Sequence, residues 1–235
     1  MTRKTLKPTL KAVIFDFNGV IINDEPIHLK MFQKVLKKEG IHLSDPEYYK
    51  KYLAYDDQSC FEMILREHRK LFTQFKINSL IRKKARYYRI RLRSQLPIFP
   101  GVKKWVKIFS RHFPLAIASA ALGEEIRWIL RRAKLLKYFK VIVSAEEVSH
   151  SKPHPESFKL ALARLNPYQT IRPEECLVIE DSIAGIKGAR RAGMRCLALA
   201  HTYPQNKLAG ADMTLPRLTD LRPAHLKRIF TDRSQ

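Results

Sequence analysis

The chain has 235 residues, 45% of them hydrophobic, which suffices for one large domain or a core with a smaller insertion and argues against disorder. Cys60, Cys176 and Cys196 are too few and too widely spaced for a disulfide framework or a zinc pattern. No apolar run approaches the ~20 residues that span a bilayer, and the basic segment 1–11 is followed by no signal-peptide core. A cytoplasmic protein is expected, and its formal charge of +23 favours anionic ligands, nucleic acid and acidic membrane surfaces among them.

Lys11-Ala-Val-Ile-Phe-Asp16 is a short apolar run that ends in an acid and is followed by the turn pair Asn18-Gly19. A long segment, 24–96, then reads as helices throughout. Ile27, Met31, Phe32, Val35 and Leu36 form one apolar series, and Phe61, Ile64, Leu65 and His68 a second. Ile81, Ala85, Tyr88, Leu92 and Leu96 step by three or four, which predicts one stripe on a last long helix. Pro97 and Pro100-Gly101 mark the exit from this segment. Further strand-like runs lie at 115–119, 141–144, 176–180 and 196–200, and helical spacing at 124–136 and 156–165. Short apolar strands alternating with helices predict an α/β fold, a doubly wound parallel sheet. Residues 1–23 and 97–235 would form this core, and 24–96 an inserted helical domain.

Ligands of open α/β sheets bind at the carboxyl ends of the strands. Here Asp16 closes the first strand, Ser119 the second and Glu180-Asp181 the fourth, while Lys152 lies after the third. Converging carboxylates, a lysine and a hydroxyl suit a phosphate together with a hard cation held through oxygen. Taken singly, each has a plain structural reading: a strand-end cap, a surface lysine, a helix N-cap.

These residues carry a resemblance. Asp16-Phe-Asn-Gly-Val-Ile21, Ile117-Ala-Ser119-Ala120, Ser151-Lys152-Pro-His154-Pro-Glu156-Ser157-Phe158 and Val178-Ile-Glu180-Asp181-Ser182-Ile-Ala-Gly185-Ile186 resemble, in order and spacing, the four motifs of the haloacid dehalogenase superfamily. The insertion resembles the helical cap of its β-phosphoglucomutase and phosphoglycolate phosphatase branch. The resemblance implies Mg²⁺, held by Asp16, the Asn18 backbone carbonyl, Glu180 and Asp181. It implies Asp16 as the nucleophile that forms an aspartyl-phosphate, with Ser119, Ala120 and Lys152 binding the phosphoryl group. It also implies a hinge around residues 21–28 that closes the cap. His28 and His154 are read as structural or solvent-facing.

Two positions depart from the pattern. Asn18 stands where such enzymes carry the aspartate that acts as general acid and base, and an amide has no proton to trade at neutral pH. Glu25 or His28 could serve instead, the leaving group could need no protonation, Asn18-Gly19 could deamidate, or turnover could be slow. Asp57 lies where the mutase branch has a basic phosphate-binding residue, which argues against a mutase; an acid there would meet substrate hydroxyls or an amine, or begin a helix. From Arg66 to Arg93 eleven Lys/Arg face a single acid, Glu67. Arg82, Lys83, Lys84, Arg86, Arg89, Arg91 and Arg93 lie off the apolar stripe, so a solvated face is favoured over a nucleic-acid surface. The expectation is a phosphatase of a small phosphorylated metabolite. The alternative is a weakened homologue that binds a phosphorylated ligand or nucleic acid.

Overall fold

The computed structural model describes residues 9–53, 55–94 and 96–231. The chain divides into two compact units, one running up to Asn23 and resuming at Ile98, the other Asp24–Pro97.

The first unit is built on a six-stranded, all-parallel sheet: β1 (Ala12–Phe15), β2 (Leu115–Ala118), β3 (Val141–Val143), β4 (Cys176–Glu180), β5 (Arg195–Leu199) and β6 (Met213–Leu215). Their spatial order is β3-β2-β1-β4-β5-β6. The chain walks outward from β1 to β3, then crosses back to lay β4 on the other side of β1. The switch point therefore falls between β1 and β4, whose partners include Val13 with Leu177 and Phe15 with Ile179.

Every residue of β1, β2, β4 and β5 is buried, which is why these strands read as continuous apolar runs rather than alternating ones. Alternation appears instead in what each residue touches. Ala12 and Ile14 join the cluster of Phe158, Ala161, Ile186 and Ala189 from α7 (Glu156–Leu165) and α8 (Ile183–Arg191). Phe15 points the other way, edge-on to Phe109 of α5 (Val102–Ser110) and to Phe139, with ring centroids 6.2 and 5.8 Å away.

Three details differ from the sequence reading. β6 is an additional edge strand, three half-buried residues too short to show a pattern. The helix expected over 124–136 is α6 (Gly123–Arg132). It ends early because Lys134 turns left-handed, with φ 58°, and the Leu135 N–H returns to the Leu130 carbonyl at 2.8 Å. α9 (Pro223–Thr231) follows the last strand.

The second unit comprises α1 (Glu25–Lys37), α2 (Asp45–Lys51), α3 (Asp57–Glu67) and α4 (Gln74–Ser94). Ser44 caps α2 by accepting the Glu47 N–H at 3.3 Å, and Asp56 caps α3 by accepting the Ser59 N–H at 2.9 Å. Phe32, Leu36, Phe61, Ile64, Ile77 and Leu80 are among the residues of its core. The buried stripe of α4 is Ile77, Leu80, Lys84, Tyr88 and Leu92; Ile81 and Ala85 are only half buried, and Leu96 lies past the helix end. Lys84 was expected on the solvated face and is instead 1% exposed. Burial is tolerated because its ammonium donates to Asp57 at 2.5 Å and to His28 Nδ1 at 2.7 Å and sits 4.3 Å over the Phe32 ring. His28 passes the chain on to the buried Asp24 at 3.3 Å, which also accepts the Tyr88 hydroxyl at 2.5 Å.

Candidate active site

At the switch point the ends of β1 and β4 bring three acids together. Asp16 follows β1, its backbone N–H tied to the Ile179 carbonyl at 2.9 Å. Glu180 ends β4 and Asp181 follows it. Carboxylate oxygens of Asp16, Glu180 and Asp181 lie within 4.8 Å of one another, and all three residues are buried.

One lysine reaches into this group. Lys152 Nζ donates to Asp16 Oδ1 and, at 2.7 Å, to Glu180 Oε1. Burial alone would lower its pKa, but the two carboxylates reverse this and raise it, so the ammonium stays charged. Burial pushes the Asp16 carboxyl up to about 7; Lys152 offsets part of that push and Glu180 adds to it. Asp181 is likewise raised, by burial first and then by Glu180 and Asp16. With all three acids ionised, one ammonium leaves a surplus of negative charge, and that surplus together with burial is why Asp16 and Asp181 are raised.

The three carboxylates are not equally committed. Glu180 Oε2 accepts the N–H groups of Asp181 and Ser182 at 2.8 Å and the Ser182 hydroxyl at 2.9 Å, in addition to the Lys152 bond on Oε1. With four donors already bound it has less to offer a cation than its neighbours have. Two glycines make the crowding possible. A Cβ on Gly19, which has φ +77°, would sit 1.9 Å from Asp181 Oδ2. A Cβ on Gly185, in the first turn of α8, would sit 1.7 Å from Glu180 Oε1.

Ser119, just past β2, is 3% exposed and its hydroxyl oxygen accepts the Ala121 N–H at 3.0 Å, which orients it. A cavity of about 200 Å³ is lined by Ser119, Ala120, Ala145, Val148, Ser149, Ser151, Lys152 and Ser157. Ser119, Ala120 and Lys152, expected to meet a phosphoryl group, thus share one pocket. Ser157, to which the sequence reading gave no role, also lines it; its buried hydroxyl has no hydrogen-bond partner among the described residues.

Asn18 is half buried in the tight turn after β1, where it bridges to Ile22. Asp57 is the first residue of α3, the helix-start alternative of the sequence reading, and its carboxylate is engaged by Lys84. Sequence reasoning also missed His201 and Thr202. They follow β5 at the same carboxyl edge, which was the available signal. His201 Nδ1–H donates to the Gly19 carbonyl at 2.7 Å while its ring stacks on Phe99 at 3.9 Å; the Thr202 hydroxyl donates to Asp181 Oδ2.

A 3-2-1-4-5-6 parallel sheet with clustered acids and a bridging lysine at its switch point, and a serine-lined pocket beside that lysine, defines a doubly wound α/β protein with a polar site at the carboxyl edge of its sheet. The chain matches the haloacid dehalogenase-like hydrolase family over residues 13–199 and belongs to that family. It is 28% identical over 202 residues to the phosphorylated carbohydrates phosphatase of Thermotoga maritima, covering 84% of this chain and 89% of that one. It is 25% identical over 223 residues to the validoxylamine A 7'-phosphate phosphatase of Streptomyces hygroscopicus subsp. limoneus, covering 92% and 98%. In fold it resembles CbbY of Rhodobacter sphaeroides, solved in complex with phosphate, with a TM-score of 0.81 over 93% of this chain and 100% of that one at 23% identity.

Proposed function

We propose that this hydrolase is a Mg²⁺-dependent phosphatase that acts on a small phosphorylated metabolite through an aspartyl-phosphate on Asp16. The observation that carries the reading is Lys152 bound to both Asp16 and Glu180 at the switch point. That contact holds the Asp16 carboxylate in place and puts a fixed positive charge beside the serine pocket. The phosphatase names of the similar chains support the same class.

The acid cluster fits a hard cation. Its donors are all oxygen, and its charge surplus needs a further positive group. Asp16 and Asp181 would hold it with the Asn18 backbone carbonyl, and Glu180 would serve chiefly to hold Lys152. When bound, Mg²⁺ supplies charge that neutralises the transferring phosphoryl oxygens. In this reading Ser119 and the Ala120 backbone orient the phosphoryl group while an Asp16 oxygen attacks phosphorus. The bond to the leaving oxygen breaks, and that oxygen takes the electron pair. Water then opens the acyl phosphate.

Asn18 favours a second reading, in which the chain binds a phosphorylated ligand and turns it over slowly. General acid–base help is worth about 10² to 10⁴ in rate, and an amide cannot provide it. The test is Mg²⁺-dependent phosphate release from an aryl phosphate and a panel of sugar phosphates. Wild type should hydrolyse the aryl ester, Asp16→Ala should not, and Asn18→Asp should accelerate the sugar phosphates. Aryl turnover that survives in Asp16→Ala would overturn the covalent mechanism. Inactivity of wild type with activity in Asn18→Asp would favour the binding reading.

A further inference from the structure

The loop that presents Lys152 carries a second set of donors that phosphate chemistry does not use. His150 and His154 flank Lys152 by two residues on either side, and Glu156 opens α7. His150 Nδ1 lies 3.0 Å and His154 Nδ1 3.7 Å from the same oxygen, Glu156 Oε2. The imidazole centroids are 4.6 Å apart, and one ligand atom from each residue falls within 4.8 Å of the others. A tetrahedral zinc centre with bonds of ~2.0–2.1 Å holds its ligand atoms about 3.3 Å apart. Two edges of the triangle therefore bracket the required length already. Both imidazoles are at least half exposed, so ring rotation is the adjustment that would close the third.

The carboxylate is also preset. Glu156 Oε1 accepts the Ser149 N–H at 2.9 Å and Oε2 accepts the His150 N–H at 3.0 Å, so the loop's own backbone aims it at the two rings. Arg191 donates to the Pro153 carbonyl at 3.2 Å and tethers the middle of the loop. Two imidazole nitrogens and one carboxylate oxygen are the donors of a borderline transition-metal ion, not of the hard cation that suits the all-oxygen cluster around Asp16.

We propose that His150, His154 and Glu156 form a Zn²⁺-class metal site separate from the Asp16 cluster, with a fourth position open to water. The ion replaces the proton that now joins His150 to Glu156, and it staples the two sides of the segment that carries Lys152. The chain's positive charge opposes it, so the affinity rests on these three ligands together and not on a general field.

The test is calorimetric Zn²⁺ titration of the full chain under excess Mg²⁺, paired with the Co²⁺ absorption spectrum as a report on nitrogen ligation. The comparison is wild type, His150→Ala/His154→Ala, and His42→Ala/His112→Ala as a control in exposed histidines elsewhere. The histidines removed are on the surface, so equal thermal melts should show that all three proteins fold alike. One Zn²⁺ per wild-type chain is expected, bound at least about tenfold more weakly by the His150/His154 variant and unchanged in the control. Equal affinity in all three proteins, or no saturable binding by wild type, would overturn the assignment.

Discussion

At the scale of single residues, the site depends on atoms that are absent as much as on those present. Gly19→Ala places a methyl group 1.9 Å from Asp181 Oδ2 on a backbone with φ +77°, so the turn or the carboxylate must move. Phosphate release should fall by at least about 100-fold, with weaker Mg²⁺ affinity, while the far-UV spectrum stays native; a geometric error of ~1 Å is enough for such a loss. Away from the site, Glu175 is a buried carboxylate whose behaviour is set by its donors. Burial would raise its pKa, but the Arg172 backbone N–H at 2.9 Å and the side chains of Lys11 and Arg172 lower it from 4.5 to about 2. A depressed folded-state value stabilises the protein fully above pH 4.5 and less and less as pH falls toward 2. Since Lys11 is half exposed, the contribution is about 2 kcal/mol. Urea unfolding at pH 6 and pH 3 should show about 1 kcal/mol more acid loss in wild type than in Glu175→Gln, because pH 3 still lies above the folded-state value and the remainder goes only on further acidification.

At the scale of elements, the most informative case is α4. Its sequence is dominated by cations, yet it packs through a stripe that contains one of them, Lys84. Asp24 just before α1, His28 and Phe32 of α1, and Asp57 of α3, together with Tyr88 of α4 itself, make that burial tolerable. Lys84→Ala removes the donor shared by Asp57 and His28 and leaves a gap against Phe32. It should destabilise the protein by about 1–3 kcal/mol in urea unfolding, less than a fully buried ion pair because Asp57 stays partly solvated. Arg86→Ala on the exposed face should change stability by no more than about 0.5 kcal/mol. Equal effects at the two positions would show that the Lys84 contacts contribute nothing.

At the scale of the whole molecule, the charge of +23 acts through its field and not through the fold. If the substrate is a phosphorylated metabolite, the field speeds its encounter, and salt screens that gain over about 8–10 Å at physiological strength. The ratio kcat/KM for a phosphate ester should fall as NaCl rises from 20 to about 300 mM, with kcat nearly constant. Reversing Arg82, Arg86 and Arg89 together should flatten that slope without lowering kcat. Tight RNA or DNA binding that the same reversals abolish would instead mark α4 as a nucleic-acid surface.

The parallel sheet and its order along the chain were legible in the sequence, because fully buried strands must be apolar throughout and helical spacing between them leaves few alternatives. Asp16, Ser119 and Glu180-Asp181 were legible because each stands at a strand end, a position that local pattern reveals, and Lys152 through the motif that surrounds it in the loop beyond β3. Their convergence was not local: it follows from the crossover that sets β4 beside β1. Nor could spacing show that Glu180 would be occupied by four donors, that Lys84 would be buried, or that Ser157, His201 and Thr202 would join the site. Burial and hydrogen-bond satisfaction are properties of neighbours brought together from distant parts of the chain. The sequence by itself determined which residue types stand at which strand ends; only the tertiary structure decided what surrounds each of them, because solvation and partners are set by packing in three dimensions.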